Sequence, residues 1–187
     1  KVLKRYDYQN APKKLIINGK ITYTYKKSVD EPKKSIKEIE KLIRYPKKTE
    51  KYERFIRKAF LYLLSNNIKI YLKDLEKSDL SGQWIYKDKN IFINKKVLKE
   101  GTVNFAYLLS HEMIHVTQSC KGGSFSSYPV LIGLKIKEPK SFYAHNLKST
   151  IYENLNDEEI KLEIEAYGNQ KNISQTLNIF KYFCLKD

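Results

Sequence analysis

The chain is poor in the residues that punctuate or staple a fold. Its 187 residues include seven glycines, five prolines, two cysteines, one methionine, one tryptophan and three histidines. So little glycine and proline excludes a collagen-like or low-complexity protein, and two cysteines exclude a small domain built on a disulfide framework. No apolar run approaches the ~18 residues that a membrane-spanning helix needs. Acidic residues are also short, 21 against 36 lysines and arginines, for a formal charge of +15. Most of the excess is lysine, dispersed as Lys13-Lys14, Lys26-Lys27, Lys33-Lys34, Lys47-Lys48 and Lys95-Lys96. Arginine, the better reader of phosphates and bases, is scarce, so the charge reads as solvated surface and nucleic acid is not the favoured partner. The chain starts at Lys1 rather than methionine, so removal of an N-terminal piece by processing or by cloning is expected, and whether that piece was a signal peptide stays open. Compartment stays open.

Two of the three histidines fall in one short stretch, His111-Glu112-Met113-Ile114-His115. At i and i+4 on a helix, both imidazoles project from one face and can grip one metal ion. Glu112 between them points about a quarter-turn away, within reach of a water on that metal. From Val103 to Cys120 the single formally charged side chain is Glu112, in a chain where 30% of residues are charged. A helix so depleted in charge belongs in the middle of a domain, and a lone buried carboxylate needs a cation beside it. Gly122-Gly123 stops this helix. The pattern is the wiring of a zinc-dependent hydrolase, with Zn²⁺ as the cofactor.

Catalytic zinc usually takes three protein ligands and keeps one position open. A histidine six residues after His115 is excluded, because that position is Lys121. The third ligand is therefore sought on a later helix, and Asn156 to Tyr167 supplies one: Asn156 can cap it, with Glu159 at the capping-box position. Glu163 shares a stripe with Ile160, Tyr167 and Gln170, which suits an inward face. Glu165 lies beside Lys161 and Asn169 and is expected in solvent. Glu163-Ile164-Glu165-Ala166 resembles the E-x-x-A signature of gluzincin-type metallopeptidases, in which the first glutamate binds zinc. Many relatives place aspartate four residues after that glutamate, where this chain has Tyr167, so orientation of a ligand histidine must come from elsewhere.

The remaining elements read locally. Leu15-Ile16-Ile17 and Ile21 to Tyr25 flank Asn18-Gly19 as a hairpin, and Ser35 to Tyr45 is an amphipathic helix stopped by Pro46. A longer helix follows Thr49, a strand covers 68–72, and Trp84-Ile85-Tyr86 with Ile91-Phe92-Ile93 forms a second hairpin. The expectation is one α+β domain over 1–187, with 1–48 as an N-terminal extension and 49–187 as catalytic core. The order helix, strand, hairpin, HExxH helix resembles that of small, minigluzincin-like zincins. The resemblance implies that Asn90 to Asn94, through Ile91, Phe92 and Ile93, is the sheet edge that holds an extended peptide substrate; a plain structural edge is the alternative. Residues 121–155 are least legible: Pro129 to Ile136 reads as a short buried segment, and Tyr143 or His145 as a donor to the oxyanion. Cys120 and Cys184 either bridge the C-terminal tail to the core or stay as two buried thiols, and the thiols are expected.

Together these readings describe a monomeric metallopeptidase acting on a peptide or protein. His111, His115 and Glu163 hold zinc, and Glu112 is the general base toward the water. Two alternatives remain: a non-proteolytic or regulatory zincin-fold protein acting on nucleic-acid-associated targets, and a scaffold that binds no metal.

Overall fold

Asn18 and Gly19 take φ of 50° and 75°, the left-handed pair that a type I′ turn requires. They join β1 (Lys13–Ile17) to β2 (Lys20–Thr24) in a two-stranded antiparallel ladder that pairs Ile16 with Ile21. The computed structural model describes residues 1–27, 32–75, 80–140, 144, 147 and 152–185. A short helix, α1 (Val2–Asn10), precedes the hairpin, and α2 (Ile36–Arg44) follows it, started by a capping box between Ser35 and Glu38. Then come α3 (Glu50–Ser65), β3 (Lys69–Lys73), β4 (Gly82–Ile85), β5 (Asn90–Asn94), a 3₁₀ turn (Lys95–Glu100), α4 (Thr102–Lys121), α5 (Asp157–Asn169) and α6 (Ile173–Cys184). The fold is α+β, as the sequence implies. No helix among the described residues is long and apolar enough to cross a membrane.

The second sheet corrects one expectation. Its strand order is β3-β5-β4, with β5 parallel to β3 and antiparallel to β4. Ile91, Phe92 and Ile93 therefore lie on the central strand. Both sides of their backbone are committed to neighbouring strands, so they cannot be a substrate-binding edge. The strand pattern did not reveal this because β3 reaches β5 by a crossover. The edge beside the HExxH helix is β4, whose Trp84 donates its indole N–H to Ser119 of α4 at 2.9 Å.

α4 is the axis of the molecule. Leu109 to Cys120 is buried without interruption, because α3, α5, α6 and β4 surround it. Phe55, Ala59 and Leu63 of α3 meet Phe105, Leu109, Met113 and Val116 of α4 in a core that also takes Ile91, Ile93 and Phe180. Ser110 and Thr176 hydroxyls bond at 2.7 Å between α4 and α6. The N-terminus of α4 is capped from a distance, since Asp7 of α1 accepts from the Thr102 N–H at 2.7 Å and from its hydroxyl. A carboxylate there answers both an orphan donor and the helix dipole. Gly101, at φ 88°, lets the chain enter so closely that a Cβ would stand 2.4 Å from Asp7 Oδ1.

Cys120 and Cys184 form a disulfide, which corrects the expectation of two buried thiols. The pairing follows from α6 packing along α4 so that its last residue reaches the last turn of α4. The bridge closes a loop with a sequence separation of 64 residues. Cys184→Ser should lower the unfolding free energy by about 4 kcal/mol on the chain-entropy account. Urea midpoints check this, and an unchanged midpoint in the variant or in the reduced wild type contradicts it.

Candidate metal centre

Helical spacing brings His111 and His115 to one face of α4, and α5 carries Glu163 against them. The two Nε2 atoms are 3.0 Å apart. Glu163 spans them, its Oε2 3.3 Å from His111 Nε2 and its Oε1 3.3 Å from His115 Nε2. A tetrahedral ion with bonds of ~2.0–2.1 Å separates its ligand atoms by about 3.3–3.4 Å, so the three side chains already stand at ligand spacing. They form the cluster able to hold a metal ion among the described residues. Glu112 Oε2 is buried without a hydrogen-bond partner. A buried, unpartnered carboxylate oxygen beside two imidazoles and a second carboxylate fits a divalent cation.

The titration behaviour follows from burial set against this ion pairing. Burial pushes Glu112 up to about 8 and holds His111 below the usual imidazole value. For His115 burial pulls downward, but the Glu163 carboxylate prevails and raises it to about 9. Glu163 shows the converse: burial favours its acid form, yet the charge of His115 and hydrogen bonds from both rings hold it far below the carboxylate range. Glu112 and Glu163 thus occupy one cleft with opposite tendencies.

Glu165 overturns its expected position in solvent. It is only 4% exposed and accepts the N–H groups of Ile132, Gly133 and Leu134 at 2.9, 2.7 and 2.7 Å. The strap of residues 130–136 covers the side of α5 that the helical pattern assigned to water, and it packs so closely that a Cβ on Gly168 would lie 2.7 Å from Ile136. Only Ile132 of the strap is buried, while Val130, Leu131 and Ile136 stay exposed, so it is not the buried segment expected. Glu165 also accepts from Gln118 Nε2 at 2.9 Å, and Gln118 Oε1 lies 2.8 Å from His115 Nδ1. Held this way, Gln118 Oε1 accepts a hydrogen bond from the His115 Nδ1–H, which leaves Nε2 facing Glu163. This chain of contacts supplies the orientation that the missing aspartate at position 167 leaves unfilled. Gln118 sits one turn past His115, and that spacing was its available signal.

Tyr143 and His145 lie outside the described residues. Among the tyrosines that line the cleft, Tyr167 reaches the His111 ring and Tyr152 bonds to Tyr167. Tyr167, one turn past Glu163, sets its ring 4.4 Å from that of His111, and its hydroxyl meets that of Tyr152 at 2.9 Å. Burial raises both, Tyr167 to about 12 and Tyr152 further, so both remain donors at neutral pH. The site opens into a cleft of about 2280 Å³, larger than the ~300–1,000 Å³ of small-ligand pockets. On its β4 side Gly82 is required, because a Cβ would stand 2.4 Å from Glu112 Oε1.

Compared with known proteins, the chain matches no family model, no curated protein and no solved structure.

Gln118→Ala removes the acceptor from His115 Nδ1 and should weaken zinc binding by about 10–100-fold. Competition with a chromophoric chelator measures it, and wild-type affinity in the variant would show that Gln118 does not orient the ligand.

Proposed function

We propose that the protein is a zinc-dependent peptidase of the gluzincin type, with His111, His115 and Glu163 as ligands and Glu112 as general base. The observation that carries the reading is the Glu163 carboxylate set across both imidazoles, with one oxygen toward each ring, while Glu112 in the same cleft makes no such contact. Zinc held there lowers the pKa of a coordinated water toward about 7 and polarises a carbonyl. Glu112, adjacent to His111 and in the same cleft, is the carboxylate placed to accept a proton from that water and to pass it to a leaving amine. Tyr152 and Tyr167, kept protonated and lining the cleft, suit stabilisation of negative charge on a carbonyl oxygen. The β4 edge, held against α4 through Trp84 and cut back at Gly82, leaves room over Glu112 for an extended substrate backbone.

Glu112→Gln keeps the shape of the site and removes the proton carrier. The variant should bind one zinc ion with wild-type affinity while cleaving an unstructured protein at least about 10²–10⁴-fold more slowly. Undiminished cleavage by it would refute the assigned role of Glu112.

A further inference from the structure

The first 48 residues hold fifteen basic and five acidic side chains, and the other 139 hold twenty-one and sixteen. Ten of the fifteen net positive charges therefore sit on about a quarter of the chain. The same segment carries a cluster of uncovered aliphatic side chains. Ile16, Ile17 and Ile21, at the tip of the β1–β2 hairpin, are 75%, 50% and 57% exposed. Ile16 and Ile21 face each other across the ladder and share one face beside the Asn18-Gly19 turn. α2 covers only the root of that face, where Tyr23 donates to Glu40 and Ile39 is buried. Ile17 pairs with Lys20, and Lys14 lies 5.8 Å over the Tyr23 ring, so lysines flank the tip.

Single exposed aliphatics are ordinary, but Ile16 and Ile21 side by side on one face, with Ile17 exposed on the opposite face of the same tip, give the hairpin an apolar end that a partner normally covers. The charge around it selects the partner. Aliphatic side chains ringed by lysine suit an anionic bilayer, where the apolar tip enters the headgroup–acyl boundary and ammonium groups meet lipid phosphates and carboxylates. A nucleic acid would engage the lysines and leave the isoleucines without a role. We propose that the β1–β2 hairpin docks this protein on an anionic phospholipid surface, with Ile16, Ile17 and Ile21 inserted and Lys13, Lys14 and Lys20 on the headgroups. No hairpin residue lines the metal cleft, so docking is independent of the peptidase reading.

The test uses the full chain with phosphatidylcholine vesicles containing about one-third phosphatidylserine, and with phosphatidylcholine alone. The protein should sediment with the anionic vesicles and stay in solution with the neutral ones. The double substitution Ile16→Ser, Ile21→Ser keeps the charge and should weaken binding at least about tenfold. Ile16→Trp adds a reporter to a chain whose one tryptophan, Trp84, is buried, and its emission should shift to shorter wavelength on anionic vesicles. Three results would overturn the proposal: no retention on anionic vesicles, wild-type retention of the double serine variant, or unmoved emission from the tryptophan variant. A wild-type dimer that the serine substitutions convert to monomer would also overturn it, by assigning the patch to a second copy. A DNA duplex that binds the wild type and the serine variant alike and outcompetes the vesicles would do the same, by assigning the basic segment to nucleic acid.

Discussion

A half-buried carboxylate placed between two buried imidazoles sets the terms for the rest of this molecule. Glu163 and Glu112 both enter a region made by apolar helices, where an uncompensated charge costs several kcal/mol. The imidazoles of His111 and His115 offset that cost for Glu163 and leave Glu112 to respond by a raised pKa. The arrangement requires α4 to be buried on nearly every side and α5 to arrive at a fixed height against it. The long core shared by α3, α4 and α6, the disulfide at the far end of α4 and the cap from Asp7 hold α4 in place.

A second carboxylate does a different task two residues along α5. Glu165 gathers three backbone N–H groups of the strap and the amide of Gln118, so the strap, α5 and the orientation of His115 are fixed by one side chain. Such a node shares its energy among several hydrogen bonds that polarise one another. It also separates the roles of neighbouring acids without any difference in residue type. Glu163 faces two imidazoles and can ligate, whereas Glu165 faces amide donors and holds structure.

What the sequence disclosed followed the range of each interaction. The Asn18-Gly19 hairpin, the capping box at Asn156, the limits of α4 and the choice of Glu163 over Glu165 as the acid facing the histidines all rest on neighbours within one or two turns. Expectations that depended on packing partners failed. Glu165 was misplaced because the strap that buries it is irregular and distant in sequence. The central position of β5 could not be read, since strand order is set by the crossover from β3. α1 has no fully buried residue, and its place is set by contacts remote in sequence: Leu3 on the core, Asp7 on Thr102 and Asn10 on Lys99. α6 is a different matter: Ile173, Leu177, Phe180 and Cys184 do recur at helical spacing, so both the helix and its approach to Cys120 left a legible trace.

Elemental analysis of the purified chain, prepared without added metal, addresses the central claim most directly. The account predicts one zinc ion per chain in the wild type and a stoichiometry near zero in Glu163→Ala that remains folded. Equal metal content in the two proteins, or a folded wild type that takes up no zinc even when it is supplied, would contradict it.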